Sequence, residues 1–208
     1  MSARIAVLVS GGGTNLQALI DALGSVLKSG KIELVVSNVP GAYALERAKK
    51  AGIATEVVVK KELGSQAAFE EKLMEILDGN AIDIIILAGF MTILTEKFTS
   101  AYPKRILNVH PSLIPAFCGE GFYGLRVHQA ALDYGVKVTG ATVHFVNEIP
   151  DGGEIIAQKA VEILPEDTPE TLQRRVMEQA EWVILPRSVE KISKEIVSMK
   201  EQRKMSIE

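Results

Sequence analysis

Asn108 and His110 stand two residues apart at the end of an apolar segment, and both side chains carry groups that can bind an oxygen atom. Residues two apart in a strand point to the same face, and in doubly wound sheets ligands bind at the carboxyl ends of strands. An amide donor beside an imidazole can stabilise charge that develops on an oxygen. Asp151, in a later Asp-Gly-Gly segment, would favour the charged form of a facing imidazole. These three residues are the candidate catalytic group.

A purely structural interpretation of the same residues stays open, because a histidine near a strand end often only makes hydrogen bonds and Asp-Gly-Gly is a common turn. Prolines at 111 and 115 restrict the backbone after His110, which favours a preorganised site over a generic loop. His144 alternates with apolar residues on a predicted strand and is interpreted as a support residue; His128 is a weaker candidate still. Cys118 has no evident base partner, so we do not expect a nucleophile there.

A second candidate site is the glycine-rich turn Ser10-Gly11-Gly12-Gly13-Thr14-Asn15, between the first predicted strand and the first predicted helix. Free N–H groups and the helix dipole make such a turn an anion site, and we expect Gly13, Thr14 and Asn15 to bind a phosphomonoester. Leu16 replaces the third small residue of a dinucleotide fingerprint, and no lysine follows the glycines as a triphosphate loop requires. The remaining alternative is a tight turn without a ligand.

The elements that must position these residues alternate between short β-branched runs and helical patterns, which predicts βαβ units and a parallel sheet. The fold class is therefore α/β, a Rossmann-like doubly wound and mostly parallel sheet with an antiparallel C-terminal strand pair. Strands are predicted at residues 5–9, 32–37, 54–59, 82–88 and 105–109, with the antiparallel pair at 136–146 and 154–163. Helices are predicted at 16–27, closed by Gly30, and at 42–51, 66–77, 125–134, 168–185 and 188–200, the last two separated at Pro186.

The composition of the chain limits the classes of function that we expect. The 208 residues, 47% apolar and 24% charged, predict one domain over 1–208 with a flexible tail from about 200. The 23 basic and 26 acidic residues give a net charge of −3, which disfavours nucleic-acid binding. The single cysteine fits a reducing cytoplasm, and the short first apolar run resembles neither an export signal nor a membrane span. We therefore expect a cytoplasmic protein with small-molecule substrates and no membrane or nucleic-acid partner.

Several motifs together resemble the phosphoribosylglycinamide formyltransferase family, and the resemblance runs nearly end to end. They are VLVSGGGTNLQALI near the start, LAGFMTIL at 87–94, LNVHPSLIPAF at 107–117, GATVHFV at 140–146 and DGGEII at 151–156. The resemblance implies a Rossmann-like formyltransferase fold. It also implies an enzyme of purine synthesis that transfers a formyl group from 10-formyltetrahydrofolate to the amine of glycinamide ribonucleotide, without metal or nicotinamide.

By position, the resemblance implies roles for individual residues. The phosphate and ribose of the ribonucleotide would be bound by Gly13, Thr14, Asn15 and Glu181, the last followed by Trp182 where the family has histidine. The folate would be bound by Gln66, Met91, Thr92, Ile93, Leu94 and Asn108, with 146–151 as the other wall. Gln66 and Thr92 stand where well-known members carry arginine, and an insertion at 118–123 lengthens the loop after Pro-Ser-Leu.

The expected mechanism is direct attack of the amine on the formyl carbon. Protonated His110 and Asn108 would stabilise the negative oxygen of the tetrahedral intermediate, while Asp151 would keep His110 charged and accept the amine proton. Alternatives are formyl transfer to an initiator aminoacyl-tRNA and hydrolysis of the formyl donor, both of which the length disfavours, and a non-catalytic phosphate-binding module. The sequence permits either a monomer or a weak homodimer.

Overall fold

A computed structural model, which describes residues 1–206, shows strands alternating with helices up to β5. The strands are β1 Ala3–Val9, β2 Gly30–Ser37, β3 Ala54–Val57, β4 Ile84–Leu87, β5 Ile106–His110, β6 Val138–Phe145 and β7 Ile155–Glu162. The helices are α1 Thr14–Ala22, α2 Tyr43–Lys50, α3 Lys60–Leu63, α4 Gln66–Gly79, α5 Glu96–Ala101, α6 Leu125–Tyr134, α7 Pro169–Val176 and α8 Trp182–Met205. A π-helical segment, Met177–Glu181, joins α7 to α8.

The seven strands form one sheet in the order β3-β2-β1-β4-β5-β6-β7. The pairs from β3 to β5 are parallel, whereas β6 is antiparallel to β5 and β7 is antiparallel to β6. The strand order reverses at β1, whose neighbours are β2 and β4, and ligands bind beside such a switch point at the carboxyl ends of the strands. The predicted fold class is confirmed, including the antiparallel C-terminal pair.

Hydrophobic cores lie on both faces of the sheet, and the continuous apolar strands supply them. In β1, Ile5, Val7 and Val9 enter one core, while Ala6 and Leu8 enter the other. All five are fully buried. Burying a side chain such as Ile5 or Leu8 contributes roughly 1.5–3 kcal/mol to stability. The central strands therefore stabilise the sheet, which positions the loops at its carboxyl edge.

The predicted break at Pro186 is wrong, because α8 continues through that residue. The helical register changes earlier, in Met177–Glu181, and this π-helical turn precedes the proline by one helical turn. The regular hydrogen-bond ladder is therefore already interrupted where proline would remove a bond. Helix α8 also runs to Met205, beyond the predicted start of the tail; residues 207 and 208 of that tail lie outside the described residues.

The first helix is shorter than predicted, because Gly30 belongs to β2 and does not close α1. A Cβ at Gly30 would lie 2.5 Å from Ile5 Cδ1 and 2.7 Å from Ser193 Oγ, so this glycine allows close packing of the sheet against α8. Among residues 1–206, none of the helices combines the length and apolar character needed to cross a membrane.

Candidate active site

Strand β5 and the loop after β6 bring the three candidate catalytic residues together at the carboxyl edge of the sheet. Asn108 and His110 lie on β5, where they pair with His144 and Thr142 of the antiparallel strand β6. Asp151 lies in the loop from β6 to β7 with a positive φ of 54°. Within the same loop, Gly153 packs closely against the end of β6, because any Cβ there would collide with the carbonyl oxygen of Phe145.

The carboxylate of Asp151 lies at the centre of the group. Its Oδ2 atom is 3.3 Å from His110 Nδ1, and its Oδ1 atom is 3.5 Å from His144 Nε2. Asn108 Nδ2 donates to Asp151 Oδ1 at 3.4 Å and contacts His144 Nε2 at 3.2 Å. The predicted residues therefore lie together, and His144, which its place on the strand predicts to be a support residue, contacts two of them.

The loop after β5 supplies backbone partners to both members of the His110–Asp151 pair. The carbonyl oxygen of Phe117 lies 2.9 Å from His110 Nε2, and the Gly119 N–H donates to Asp151 Oδ2 at 2.9 Å. A carbonyl oxygen only accepts, so Nε2 of His110 carries a hydrogen and Nδ1 is the nitrogen left for proton transfer. Sequence reasoning missed both backbone contacts, because they depend on a left-handed residue at Phe117, with φ of 50°, rather than on a motif.

Burial lowers the pKa of His110 below its ordinary value, although Asp151 and the Phe117 carbonyl act in the opposite direction. His110 is therefore mostly neutral near pH 7. The expectation that Asp151 holds the unliganded imidazole cationic is wrong, because desolvation outweighs the attraction of the carboxylate. For Asp151, burial raises the pKa, but the nearby imidazoles of His144 and His110 and the Gly119 N–H together lower it below its ordinary value, so this carboxyl is ionised.

The glycine turn begins α1, with Gly13 as the N-cap in the left-handed conformation at φ 71°. A Cβ at Gly13 would lie 2.6 Å from Ala44 Cβ, so α2 packs directly against the turn. Gly13, Thr14 and Asn15 then enter the first turn of α1, where backbone N–H groups have no partner within the helix. The turn therefore has the geometry of an anion site.

Glu181 is brought to this turn from the π-helical segment. Asn15 Nδ2 donates to Glu181 Oε2 at 2.7 Å, and both side chains are buried. Burial raises the pKa of Glu181 to about 7, although the hydrogen bond from Asn15 opposes this. The four residues implied for the ribonucleotide, Gly13, Thr14, Asn15 and Glu181, are thus neighbours in space, and Thr14 Oγ1 also contacts Met177 Sδ at 3.8 Å.

Two cavities lie beside Asn108. The smaller one, about 130 Å³, is lined by Thr92, Ile93, Leu94, Asn108 and the whole segment 146–151, but not by Met91, which the resemblance implied for the same pocket. The larger one, about 660 Å³, is lined by Met91, Ile93, Asn108, His110 and Asp151. Residues 119–123 of the insertion form part of its wall, so the lengthened loop and the candidate catalytic group line the same cavity.

Gln66 lines neither of these two cavities and lies behind the segment that does. Its Nε2 atom donates to the carbonyl oxygen of Ile93 at 3.1 Å and to Glu70 Oε1 at 2.6 Å. Glu70 in turn accepts from the Thr95 N–H at 2.7 Å. Thr92 Oγ1 accepts from Asn38 Nδ2 at 2.8 Å. Gln66 and Thr92, which stand where well-known members carry arginine, therefore hold the 91–95 segment in place through hydrogen bonds.

The remaining polar candidates stay outside the catalytic group. Burial raises the pKa of Cys118, which donates to the Pro115 carbonyl oxygen at 3.3 Å, so a thiolate nucleophile is disfavoured. Burial lowers the pKa of His128 to about 4, with the nearby His110 adding to the effect. Among residues 1–206, no group of three or more His, Cys, Asp or Glu side chains is arranged to hold a metal ion.

Comparison with known proteins identifies the family of this chain. The model of the formyl transferase family matches residues 3–189. The chain is 45% identical to the phosphoribosylglycinamide formyltransferase of Haemophilus influenzae over 88% of this chain and 84% of that protein. It belongs to the phosphoribosylglycinamide formyltransferase family. The crystal structure of glycinamide ribonucleotide transformylase 1 from Symbiobacterium toebii shares its fold with a TM-score of 0.85 and 42% identity, over 91% of this chain and 86% of that one.

Some relatives in this family are much longer. The human trifunctional purine biosynthetic protein adenosine-3 is 41% identical over 98% of this chain, but the chain spans only 20% of that protein. The formyltransferase fold thus occurs both in proteins of about this length and within a longer polypeptide.

Proposed function

We propose that this formyltransferase transfers the formyl group of 10-formyltetrahydrofolate to the glycine amine of N1-(5-phospho-D-ribosyl)glycinamide in purine biosynthesis. The observation that carries the proposal is the cluster of Asn108, His110 and Asp151 beside a partly apolar cavity, at the same edge of the sheet as the glycine turn. A protein that only binds phosphate has no need for an imidazole, a carboxylate and an amide around one point.

The ribonucleotide phosphate would bind the N–H groups of Gly13, Thr14 and Asn15, and Glu181 would face the ribose. The helix dipole of α1 favours an anion there. A ligand that spans from this turn to His110 crosses the carboxyl ends of β1, β4 and β5, which are adjacent in the sheet.

The folate would lie along the segment 91–94 with 146–151 opposite. Leu87, Leu94 and Val146 supply apolar surface to the smaller cavity, and Asn108 supplies a polar group. This combination suits a flat heterocycle with apolar faces and hydrogen-bonding edges. Met91 and Ile93, both more than half exposed at 57% and 66%, also line the larger cavity and would pack against the part of the folate that extends into it.

In the proposed reaction the amine attacks the formyl carbon directly. Nδ1 of neutral His110 accepts the amine proton, either directly or through one water molecule. The resulting imidazolium lies beside the ionised Asp151, whose negative charge stabilises it. His110 then gives this proton to the folate nitrogen as the bond from that nitrogen to the formyl carbon breaks. The imidazole therefore returns to its neutral form after each transfer.

Asn108 would stabilise the negative oxygen of the tetrahedral intermediate. Its Nδ2 contact with Asp151, at 3.4 Å, is long, so this N–H would point to a substrate oxygen while the other N–H stays with His144 Nε2 at 3.2 Å. A preorganised donor of this kind acts at the point where charge develops.

We also propose that residues 1–208 act as one domain in the cytoplasm, as a monomer or weak homodimer. No metal, nicotinamide, nucleic acid or membrane partner is part of this proposal. The net charge of −3 and the small-molecule cavities support it.

The test is the absorbance change of a 10-formyl folate analogue with and without glycinamide ribonucleotide. Loss of the formyl donor only when the amine is present supports transfer. Loss without the amine would show hydrolysis, and binding without loss of the donor would show a phosphate-binding module; either result overturns the proposal.

A further inference from the structure

Helix α2 donates hydrogen bonds to two carbonyl oxygens of the glycine turn. The N–H of Ala44 donates to the carbonyl oxygen of Gly11 at 3.0 Å. Arg47 Nε donates to the carbonyl oxygen of Gly12 at 2.8 Å. Neither α2 residue belongs to the set implied for substrate binding, and the second contact comes from a side chain that can be changed by mutation.

The direction of the Gly12 carbonyl fixes the direction of the next N–H. The C=O of Gly12 and the N–H of Gly13 belong to one planar trans peptide unit, in which they point in opposite directions. Because Arg47 draws the Gly12 oxygen toward α2, the Gly13 N–H points away from α2. We propose that Arg47 is a positioning residue for the substrate phosphate, which it serves by aiming the Gly13 N–H.

Arg47 is itself held in place by further contacts. Its Nη1 atom donates to Gln17 Oε1 at 3.0 Å, and its Cζ atom lies 4.9 Å from the centre of the Tyr43 ring. The planar guanidinium makes both hydrogen bonds while it stacks on the ring, which a lysine ammonium does not reproduce. The positive charge of Arg47 also adds to the favourable field for an anion at the start of α1.

The inference rests on the proposed function, so the experiment must separate the two. In wild type we measure the amide NMR shifts of Gly13, Thr14 and Asn15 during titration with inorganic phosphate and with glycinamide ribonucleotide. Shifts of these amides with both ligands support the phosphate site. If they do not move with either ligand, the phosphate site of the proposed function fails, and the inference fails with it.

Substitution then tests Arg47 alone. Arg47→Ala should raise the KM for the ribonucleotide about tenfold or more and change kcat less than about threefold, because it weakens binding that ground state and transition state share. The KM for the folate should stay unchanged. The dephosphorylated form of glycinamide ribonucleotide serves as a second acceptor, with which wild type and variant should be equally active. In the variant, the shift of the Gly13 amide that phosphate induces should be smaller than in wild type.

Arg47→Lys and Lys50→Ala complete the set. Arg47→Lys keeps the charge, so a KM restored to the wild-type value would show a general electrostatic effect and overturn the positioning role. Lys50 is exposed and lies over the same Tyr43 ring at 5.9 Å, and within residues 1–206 no hydrogen bond joins it to the glycine turn. Lys50→Ala should leave both KM values unchanged. Two further results would contradict the inference. One is an equal loss of activity of Arg47→Ala with both acceptors. The other is an unchanged KM of Arg47→Ala for the ribonucleotide when the wild type binds phosphate.

Discussion

His110 Nδ1 lies 3.3 Å from Asp151 Oδ2, while His110 Nε2 is turned to the carbonyl oxygen of Phe117 at 2.9 Å. The backbone carbonyl thus decides which nitrogen carries the fixed hydrogen, and the carboxylate stands beside the nitrogen that exchanges its proton. Because burial lowers the pKa of His110, this nitrogen is free to accept a proton near pH 7. In the proposed mechanism, the pair therefore serves proton transfer during turnover rather than a permanent ion pair.

Removing either of the two groups that we propose to face the reacting atoms should lower turnover more than binding. Asn108→Ala and His110→Ala should each reduce kcat by about 10²–10³-fold with small changes in KM, because a preorganised donor or base acts mainly in the transition state. Steady-state kinetics with both substrates measures this. A variant of either residue with wild-type kcat would remove that residue from the mechanism.

His144 should act through Asn108 and Asp151. Its Nδ1 lies 2.8 Å from the carbonyl oxygen of Phe145, so Nε2 is an acceptor for the Asn108 amide. His144→Ala should lower kcat about tenfold, the effect of losing one hydrogen bond of roughly 1–1.5 kcal/mol. His144→Gln offers an acceptor oxygen and should recover part of the loss; no difference between the two variants would contradict the orienting role.

Gly13→Ala should destabilise the protein, because φ is 71° and the new Cβ would lie 2.6 Å from Ala44 Cβ. We expect a loss of roughly 2–3 kcal/mol in the free energy of unfolding, from the left-handed backbone and the collision together. Gly12→Ala is the matched control for stability, since a Cβ there meets nothing within 4 Å. Urea unfolding compares the two; equal destabilisation would show that contact with α2 does not restrict the turn.

Glu181 should make stability depend on pH. Burial raises its pKa from 4.5 to about 7, so between these values the folded protein holds a proton that the unfolded chain releases. Stability from this group is complete below pH 4.5 and is lost as the pH rises through about 7. At about 1.4 kcal/mol per unit, the loss is roughly 3 kcal/mol.

Glu181→Gln removes this titration and keeps a hydrogen-bonding partner for Asn15. The free energy of unfolding of the variant, relative to that of wild type, should therefore rise by roughly 3 kcal/mol from pH 4.5 to about 7.5. Urea unfolding at several pH values measures this difference. A difference between variant and wild type that stays constant over this range would show that Glu181 does not titrate there.

Much of the fold could be predicted from the sequence because β4 and residues 5–9 of β1 are continuously apolar and buried on both faces. The βαβ pattern was predicted correctly for this reason, and the helix predicted at 125–134 is α6. The break at Pro186 was not, since proline is a strong local signal but the neighbouring π-helical turn depends on tertiary packing. Gly30 likewise looked like a helix stop, although its role is contact with Ile5.

The candidate site could be located from residue types and their places at strand ends, but its electrostatics could not. The sequence places a carboxylate near an imidazole and so suggests a cation, whereas the pKa of His110 depends on how far the loop buries it. The contacts of Phe117 and Gly119 are made by backbone atoms, which carry no sequence signal. Gln66 and Thr92 could be found by position, but their hydrogen bonds to Ile93 and Asn38 required the structure.

The pH dependence of single-turnover formyl transfer tests the central claim most directly, in wild type and in Asp151→Asn. With neutral His110 as proton acceptor, the rate rises with pH through an apparent pKa below 6.5, the ordinary value for histidine. Asp151→Asn removes a charge that raises this pKa, so the rise should move to lower pH while the plateau rate falls. A rate that decreases as the pH rises through this range, or a rise that does not move in Asp151→Asn, would contradict the account.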